Sequence, residues 1–241
     1  MLLTWVKSGN LNRFYGKDRI EFMERILVGD VLSQKQSNSS LSLILNNDAG
    51  IIDDCIFSTH DQFHNLVVNA GNKDIDFKHF KEIQKNEFSK KDVQLVQIED
   101  ESLIAIQGPN AYKILQPLLK TNLQNIKFNT FFKETPKGFT KEITFYRLGY
   151  TGEDGFEISI ANSEAESFIT FLLDSNKNDL IMAGLGARDA LRLEAGLCLH
   201  GHDIDANKNP VEAMLQWTIR KRPNSNTFIG SEKLESLKKV I

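Results

Sequence analysis

Leu41-Ser42-Leu43-Ile44-Leu45, then Asn46-Asn47-Asp48-Ala49-Gly50, then Ile51-Ile52-Asp53-Asp54-Cys55-Ile56-Phe57, is an apolar run, a cluster of turn-forming residues and a second apolar run. Asn, Asp and Gly tolerate the backbone angles of a reversal, so this stretch predicts an antiparallel hairpin. Asn65 to Asn69 reads as a third strand, and the Ser/Asn patch Ser37 to Ser40 as a short loop before the first. On the N-terminal side, Ile20, Met23, Ile26 and Leu27 recur at helical spacing, which predicts a helix over Arg19 to Val31 with Gly29 ending the pattern. On the C-terminal side, Asp76 is placed to cap a helix whose apolar face is Phe77, Phe80 and Ile83.

The pattern continues outward. Val93 to Ile98, Leu103 to Ile106, Ile143 to Tyr150 and Phe156 to Ile160 read as strands. Gln107-Gly108-Pro109-Asn110 turns into a helix through Ile114, Leu115 and Leu118; further helices carry Phe168, Phe171 and Leu172 and run from Ala187 to Leu197. Strands joined by hairpins, with amphipathic helices between them, predict an α+β fold of mixed or antiparallel sheets with helices on their faces. Residues 1–222 are expected to form one core of two interleaved α+β subdomains, with 223–241 the start of a further region.

The chain has 241 residues, 41% hydrophobic and 25% charged, with 29 Lys plus Arg against 32 Asp plus Glu. That balance fits a globular protein. The net charge of −3 argues against a dedicated nucleic-acid binder, which concentrates positive charge. Arg220-Lys221-Arg222 is read as a solvated basic turn. Cys55 and Cys198 are lone thiols outside any CxxC pair, which suggests a reducing compartment and no structural zinc. No apolar run is long enough for a membrane helix. The acid-poor N-terminus with Lys7, Arg13 and Lys17 reads either as a targeting segment or as the first strand of the folded body, the latter favoured.

Four stretches can carry chemistry. In Gly149-Tyr150-Thr151-Gly152-Glu153-Asp154-Gly155-Phe156-Glu157, Asp154-Gly155 suits a tight hairpin. Alternation then sets Phe156, Ile158 and Ile160 on one face and Glu157 and Ser159 on the other. Glu157 either points into water or lines a cavity, where its paired oxygens match a ligand edge with two parallel N–H donors. Asp53 and Asp54 are adjacent in a strand, so they should face opposite ways and not act as a dyad. Gly184-Leu185-Gly186-Ala187-Arg188 is a glycine turn opening a helix, with Arg188 and Arg192 on one face, available to a ligand or to Asp189 and Glu194. His200-Gly201-His202 has no accompanying ligand cluster, and a hydrogen-bonded or surface role is favoured over metal binding.

In this order, Asn46 to Asp54, Ile106-Gln107-Gly108-Pro109, Gly149 to Glu157, Ala183 to Asp189 and Leu191-Arg192-Leu193-Glu194-Ala195-Gly196-Leu197 resemble the aminomethyltransferase (T-protein) family of the glycine cleavage system. The likeness runs from about Arg19 to Gly230, and Leu197 to Asp205 leans toward mitochondrial members. The resemblance implies transfer of a one-carbon unit from the aminomethyl-lipoyl arm of the H-protein to tetrahydrofolate, with release of ammonia and no metal. It implies Asp53 as the catalytic aspartate beside the folate nitrogens and Glu157 as the pterin-recognising carboxylate. Arg188, Tyr150 and Asn69 fall at further folate-site positions. Its partners would be lipoylated H-protein and tetrahydrofolate, without nucleic acid or membrane. The expected location is the mitochondrial matrix in a eukaryote and the cytoplasm otherwise.

Family members carry a further N-terminal segment and a C-terminal β-rich domain, so the chain resembles a T-protein trimmed at both ends, with apolar surface left uncovered. The alternatives are a folate-binding accessory protein and an inactive fragment that binds only the H-protein. The accessory relatives carry Lys-Gly-Cys followed by Gly-Gln-Glu, absent here. In the fragment, Arg220, Lys221 and Arg222 would meet an acidic partner or a polyglutamate tail.

Overall fold

The computed structural model describes residues 1–6, 10–222 and 228–238; Lys7 of the N-terminal reading, residues 223–227 and residues 239–241 lie outside the described residues. Along the first part of the chain run β1 (Leu2–Val6), β2 (Leu11–Tyr15), α1 (Arg19–Ile26), β3 (Ser39–Leu45), β4 (Ile51–Thr59), β5 (His64–Val67), α2 (Lys73–Glu87) and β6 (Gln94–Ile98). There follow β7 (Glu101–Gln107), α3 (Ala111–Leu115), β8 (Phe131–Glu134), β9 (Ile143–Tyr146), β10 (Gly155–Ala161), α4 (Asn162–Ser175), β11 (Ile181–Met182), α5 (Leu185–Glu194) and α6 (Ser231–Lys238). The chain folds into two compact units, each built from two separate stretches.

Residues 1–8 and 99–198 make the first unit. Its sheet has the order β11-β1-β7-β10-β9-β8, with β1 and β11 parallel and the other pairs antiparallel. Ile104, Ile106, Phe145, Phe156 and Ile158 pack on one face against Ile114 and Leu115 of α3 and Phe168 and Leu172 of α4. The sequence places Phe171 with the last two, but it is 44% exposed. The turn after Gln107 opens α3 as expected, but the helix tightens into a 3-10 turn over Gln116–Leu118, because Pro117 offers no N–H to continue it.

Residues 9–98 and 199–241 make the second unit. The sheet is antiparallel throughout in the order β3-β4-β5-β2-β6. Phe14, Cys55, Phe57 and Leu66 from its strands pack with Phe22, Met23 and Ile26 of α1 and Phe80 and Ile83 of α2. The hairpin of the opening stretch is β3–β4, closed by Asn46, whose Oδ1 accepts from the N–H groups of Asp48 and Gly50 at 3.0 and 2.8 Å.

Three expectations need correcting. The first helix ends at Ile26, because Leu27 turns extended and Val28 donates its N–H to Leu43 of β3. Leu27, Val28 and Val31 stay buried, Leu27 and Val31 within this unit's core, so their apolar pattern outlasts the helix. Ser39 and Ser40 belong to β3, not to a loop. Gly155 is not at positive φ; Gly152 is, at +75°, and β9 stops at Tyr146, so a longer loop replaces the tight hairpin. At 149 and 155 the crowding group is Gln107: a Cβ there would lie 2.1 and 2.4 Å from its terminal amide, which would then have to shift. Gln107 in turn donates to Leu148 O at 3.1 Å, pinning the loop.

Apolar exposure exists within each unit: Leu185 is 84% exposed in the first and Met214 78% in the second. The basic cluster divides. Arg220 and Lys221 are exposed, but the Arg222 side chain is 2% exposed and ion-paired to Glu24 at 2.9 Å. It also donates to the carbonyls of Glu24, Leu27 and Gly29 and lies over the Phe228 ring. Arg222 therefore ties the chain after residue 199 to α1 and is not available to an acidic partner. Replacing it leaves Glu24 Oε2 without its cation and three carbonyls without the Arg222 donor, while Glu24 Oε1 keeps the N–H groups of Val31 and Leu32, so Arg222→Ala is expected to lower stability by about 3 kcal/mol, read by urea denaturation.

Candidate functional site

The second unit holds the carboxylates of the opening hairpin. On β4, Ile51, Asp53, Cys55 and Phe57 are buried and alternate with partly exposed Ile52, Asp54 and Ile56. Asp53 thus lies on the helix-covered face with no solvent exposure, which is costly for a carboxylate unless donors surround it. They do. Its Oδ2 accepts from the Asn69 backbone N–H at 2.8 Å, and its Oδ1 from the side-chain amides of Asn69 and Asn72 at 2.8 and 2.9 Å.

Asn69 follows β5 directly, and the register Ile56↔Val67 carried two residues further sets it opposite Asp54. The same amide also donates to Asp54 Oδ1 at 2.8 Å. Adjacent residues on opposite faces are expected to be independent; one amide at the end of the neighbouring strand instead couples them. Burial and the Asp53 charge raise the Asp54 carboxyl to about 6, with the Asn69 bond opposing. A carboxyl titrating this close to neutrality can take up and release a proton under working conditions.

Asn72 precedes α2, and its amide donates to Ile52 O at 3.1 Å and to His200 Nδ1 at 2.8 Å. His200 Nε2 lies 3.1 Å from Ile51 O, a carbonyl that can only accept, so the proton is on Nε2 and Nδ1 accepts from Asn72. This is the hydrogen-bonded role favoured for the histidine. Asp76, expected as the cap, lies inside the first turn of α2, fully buried, and its N–H donates to Asn72 O. Burial first, then Asp53, pushes its carboxyl up to about 9. The helix N-terminus favours a negative charge by only about 0.3–1 kcal/mol, far too little to offset burial.

The first unit holds the other candidates. Glu157 sits on the β10 face opposite Phe156 and Ile158, partly covered, with Tyr146 and Ala105 as its neighbours across the strands. Burial raises its pKa and the Arg188 charge lowers it. Among the described residues no hydrogen-bond donor reaches its oxygens. Arg188, in the first turn of α5, stacks its guanidinium 4.6 Å from the Tyr150 ring centroid, and Tyr150 donates its hydroxyl to Cys198 O. Arg192 takes the structural role: 3% exposed, it is paired with Asp189 at 2.9 Å and bonded to Leu197 O. A Cβ added at Gly184 or Gly186 would meet nothing within 4 Å, so no protein contact demands glycine there. A hollow of about 360 Å³ beside the loop is lined by Phe128, Gly149, Gly152, Glu153, Asp154 and Leu197, and none of the five candidate residues lines it.

The structure thus groups Asp53 with Asn69 in one unit and Glu157 with Arg188 and Tyr150 in the other. Sequence reasoning missed Asn72 and Asp76 as parts of the first group. Their spacing, Asn69-x-x-Asn72-x-x-x-Asp76, stacks the last two one helical turn apart and was the available signal. It also chose between the aspartates on resemblance alone. Asp53 is the sealed member, and Asp54 is the one with an exposed edge.

The sequence and the fold match one family of proteins. The model for the GCVT N-terminal domain covers residues 9–223, and the chain belongs to that family. It is 44% identical over 219 residues to the mitochondrial aminomethyltransferase of Dictyostelium discoideum, covering 87% of this chain and 54% of that one. It is 42% identical over 221 residues to that of Solanum tuberosum, at 90% and 54% coverage. The solved glycine cleavage system aminomethyltransferase T of Bartonella henselae superposes with a TM-score of 0.84 at 34% identity, covering 99% of this chain and 63% of that one. The chain spans about half the length of the curated relatives it matches.

Glu157 is poised between burial and the Arg188 charge, so removing that charge should move it in one direction. In Arg188→Gln its carboxyl pKa is expected to rise further above the ordinary glutamate range, read by carbon-13 NMR titration of the labelled side chain.

Proposed function

We propose that this chain performs the folate-dependent step of glycine cleavage, taking the one-carbon unit from the aminomethyl-lipoyl arm of the H-protein to tetrahydrofolate. In that reaction the carbon's bonds to the amine nitrogen and to the lipoyl sulfur break, and bonds to two folate nitrogens form. The two folate N–H protons leave with ammonia and the lipoyl thiol. The mitochondrial names of its relatives support a mitochondrial setting.

The observation that carries the reading is Glu157, a partly covered carboxylate that no donor among the described residues reaches. Two acceptor oxygens held side by side suit the paired N–H donors on the pterin edge. Arg188 favours the charged form of the carboxylate, and the Tyr150 ring holds the Arg188 guanidinium in place.

On the second unit, the role that the resemblance gives to Asp53 falls to Asp54. A group that meets the reacting nitrogens needs an exposed edge, and Asp53 has none. A carboxyl titrating near 6 can accept a proton from the attacking amine and, once ionised, stabilise the iminium cation left as ammonia departs. Asp53 and Asn69 hold it in position.

Glu157→Ala is expected to weaken tetrahydrofolate binding by about 2 kcal/mol, roughly thirtyfold, in titration calorimetry; unchanged affinity removes Glu157 from the site. Asp54→Asn is expected to lower kcat for methylenetetrahydrofolate formation in an H-protein-dependent assay by about a hundredfold with little change in folate KM. A defect confined to KM would contradict the assignment, and folate binding with no transfer by the unmodified chain would favour an accessory role.

A further inference from the structure

Asp76 has an inhospitable setting for a carboxyl. It is fully buried, and neither of its oxygens receives a hydrogen bond. The group facing it from β4 is Asp53; the Asp54 charge on the other face of that strand and the Cys55 thiol are close enough to interact with it, and none is a cation. Asp53, by contrast, accepts three N–H bonds. Two carboxyl groups in contact cannot both be bare anions in a sealed interior, so one of them holds a proton. The donors decide which: the group surrounded by N–H groups keeps the charge, and the group with none keeps the proton.

We propose that Asp76 is a positioning residue that stays protonated at neutral pH and donates its O–H to Asp53. That bond adds a fourth donor to Asp53, from α2, beside the three it has from Asn69 and Asn72. It fixes the carboxylate on which Asn69 is seated, and Asn69 in turn holds Asp54. The pair then carries a single negative charge beside Asp54 instead of two. The link from Asp76 to transfer rests on the reading of Asp54 given above; the proton itself does not.

The experiment uses the full 241-residue chain. With carbon-13-labelled aspartate, infrared spectra at about pH 8 should show the C=O band of one protonated aspartic acid, since Asp54 has by then released its proton. No such band overturns the proposal whatever any variant does. In Asp76→Asn the band should vanish.

Stability gives a second readout. A raised carboxyl pKa means the folded chain binds the proton that the unfolded chain has released. Relative to Asp76→Asn, the unfolding equilibrium constant of the unmodified chain should therefore rise between about pH 4 and pH 9, by up to about tenfold per unit, and level off above. Burial holds the Cys55 thiol above this window and Asp54 titrates near its lower part, so a rise that continues between about pH 7 and pH 9 reports Asp76; a flat ratio overturns the proposal. Finally, Asp76→Ala should lower kcat about tenfold or more, and Asp76→Asn, which restores an N–H donor, should recover most of it. Equal loss in both variants leaves no positioning role. Protonated Asp76 in a chain without turnover would instead strike the transfer reading.

Discussion

The side chain and backbone N–H of Asn69 grip both oxygens of Asp53, and much of the second unit depends on that grip. β4 carries an anion on the face where α1 and α2 bury phenylalanines. A strand placing Asp53 there without donors would lose several kcal/mol to desolvation. The end of β5, the start of α2 and, through Asn72, His200 converge on the first residues of β4. What resembles loop detail is therefore the condition under which this hairpin can exist in this sheet.

Much of this is legible in the chain. Apolar runs and periodicity find β3, β4, β6, β7 and β10, and turn chemistry finds the hairpin at Asn46–Gly50, because these signals are local. What escapes is tertiary. Leu27 and Val28 keep a helical apolar pattern while the chain bonds to β3. The Gly149–Gly155 loop is legible as a turn, but the Gln107 side chain that crowds Gly149 and Gly155 belongs to a distant strand. Period two sends Asp53 and Asp54 to opposite faces, but it does not reveal that one amide bonds to both. Faces follow from one strand, whereas coupling depends on what the next strand places at its end.

The arginines make the same point about charge. In the sequence Arg222 shares a solvated run with its two basic neighbours, yet it is the sealed member, matched to Glu24 and three carbonyl groups. Arg188 and Arg192 share a helix and a spacing, but Arg192 is committed to Asp189 and Leu197 while Arg188 rests on an aromatic ring. A planar guanidinium with five donors suits either use. The difference lies in which acceptors the fold brings within reach.

The carboxylates complete the argument, because the molecule treats them in opposite ways. Asp53 has both oxygens engaged from inside and no surface to offer, so its charge serves architecture and the electrostatics of Asp54. Glu157 is partly covered and surrounded by no donors, with a cation close enough to favour its charge but stacked on a ring face. An acceptor pair left unsatisfied in a partly dry setting costs stability. That cost is recovered only when something with matching N–H groups arrives, which is the physical meaning of a binding site and the reason Glu157, not the better-buttressed Asp53, points to a ligand.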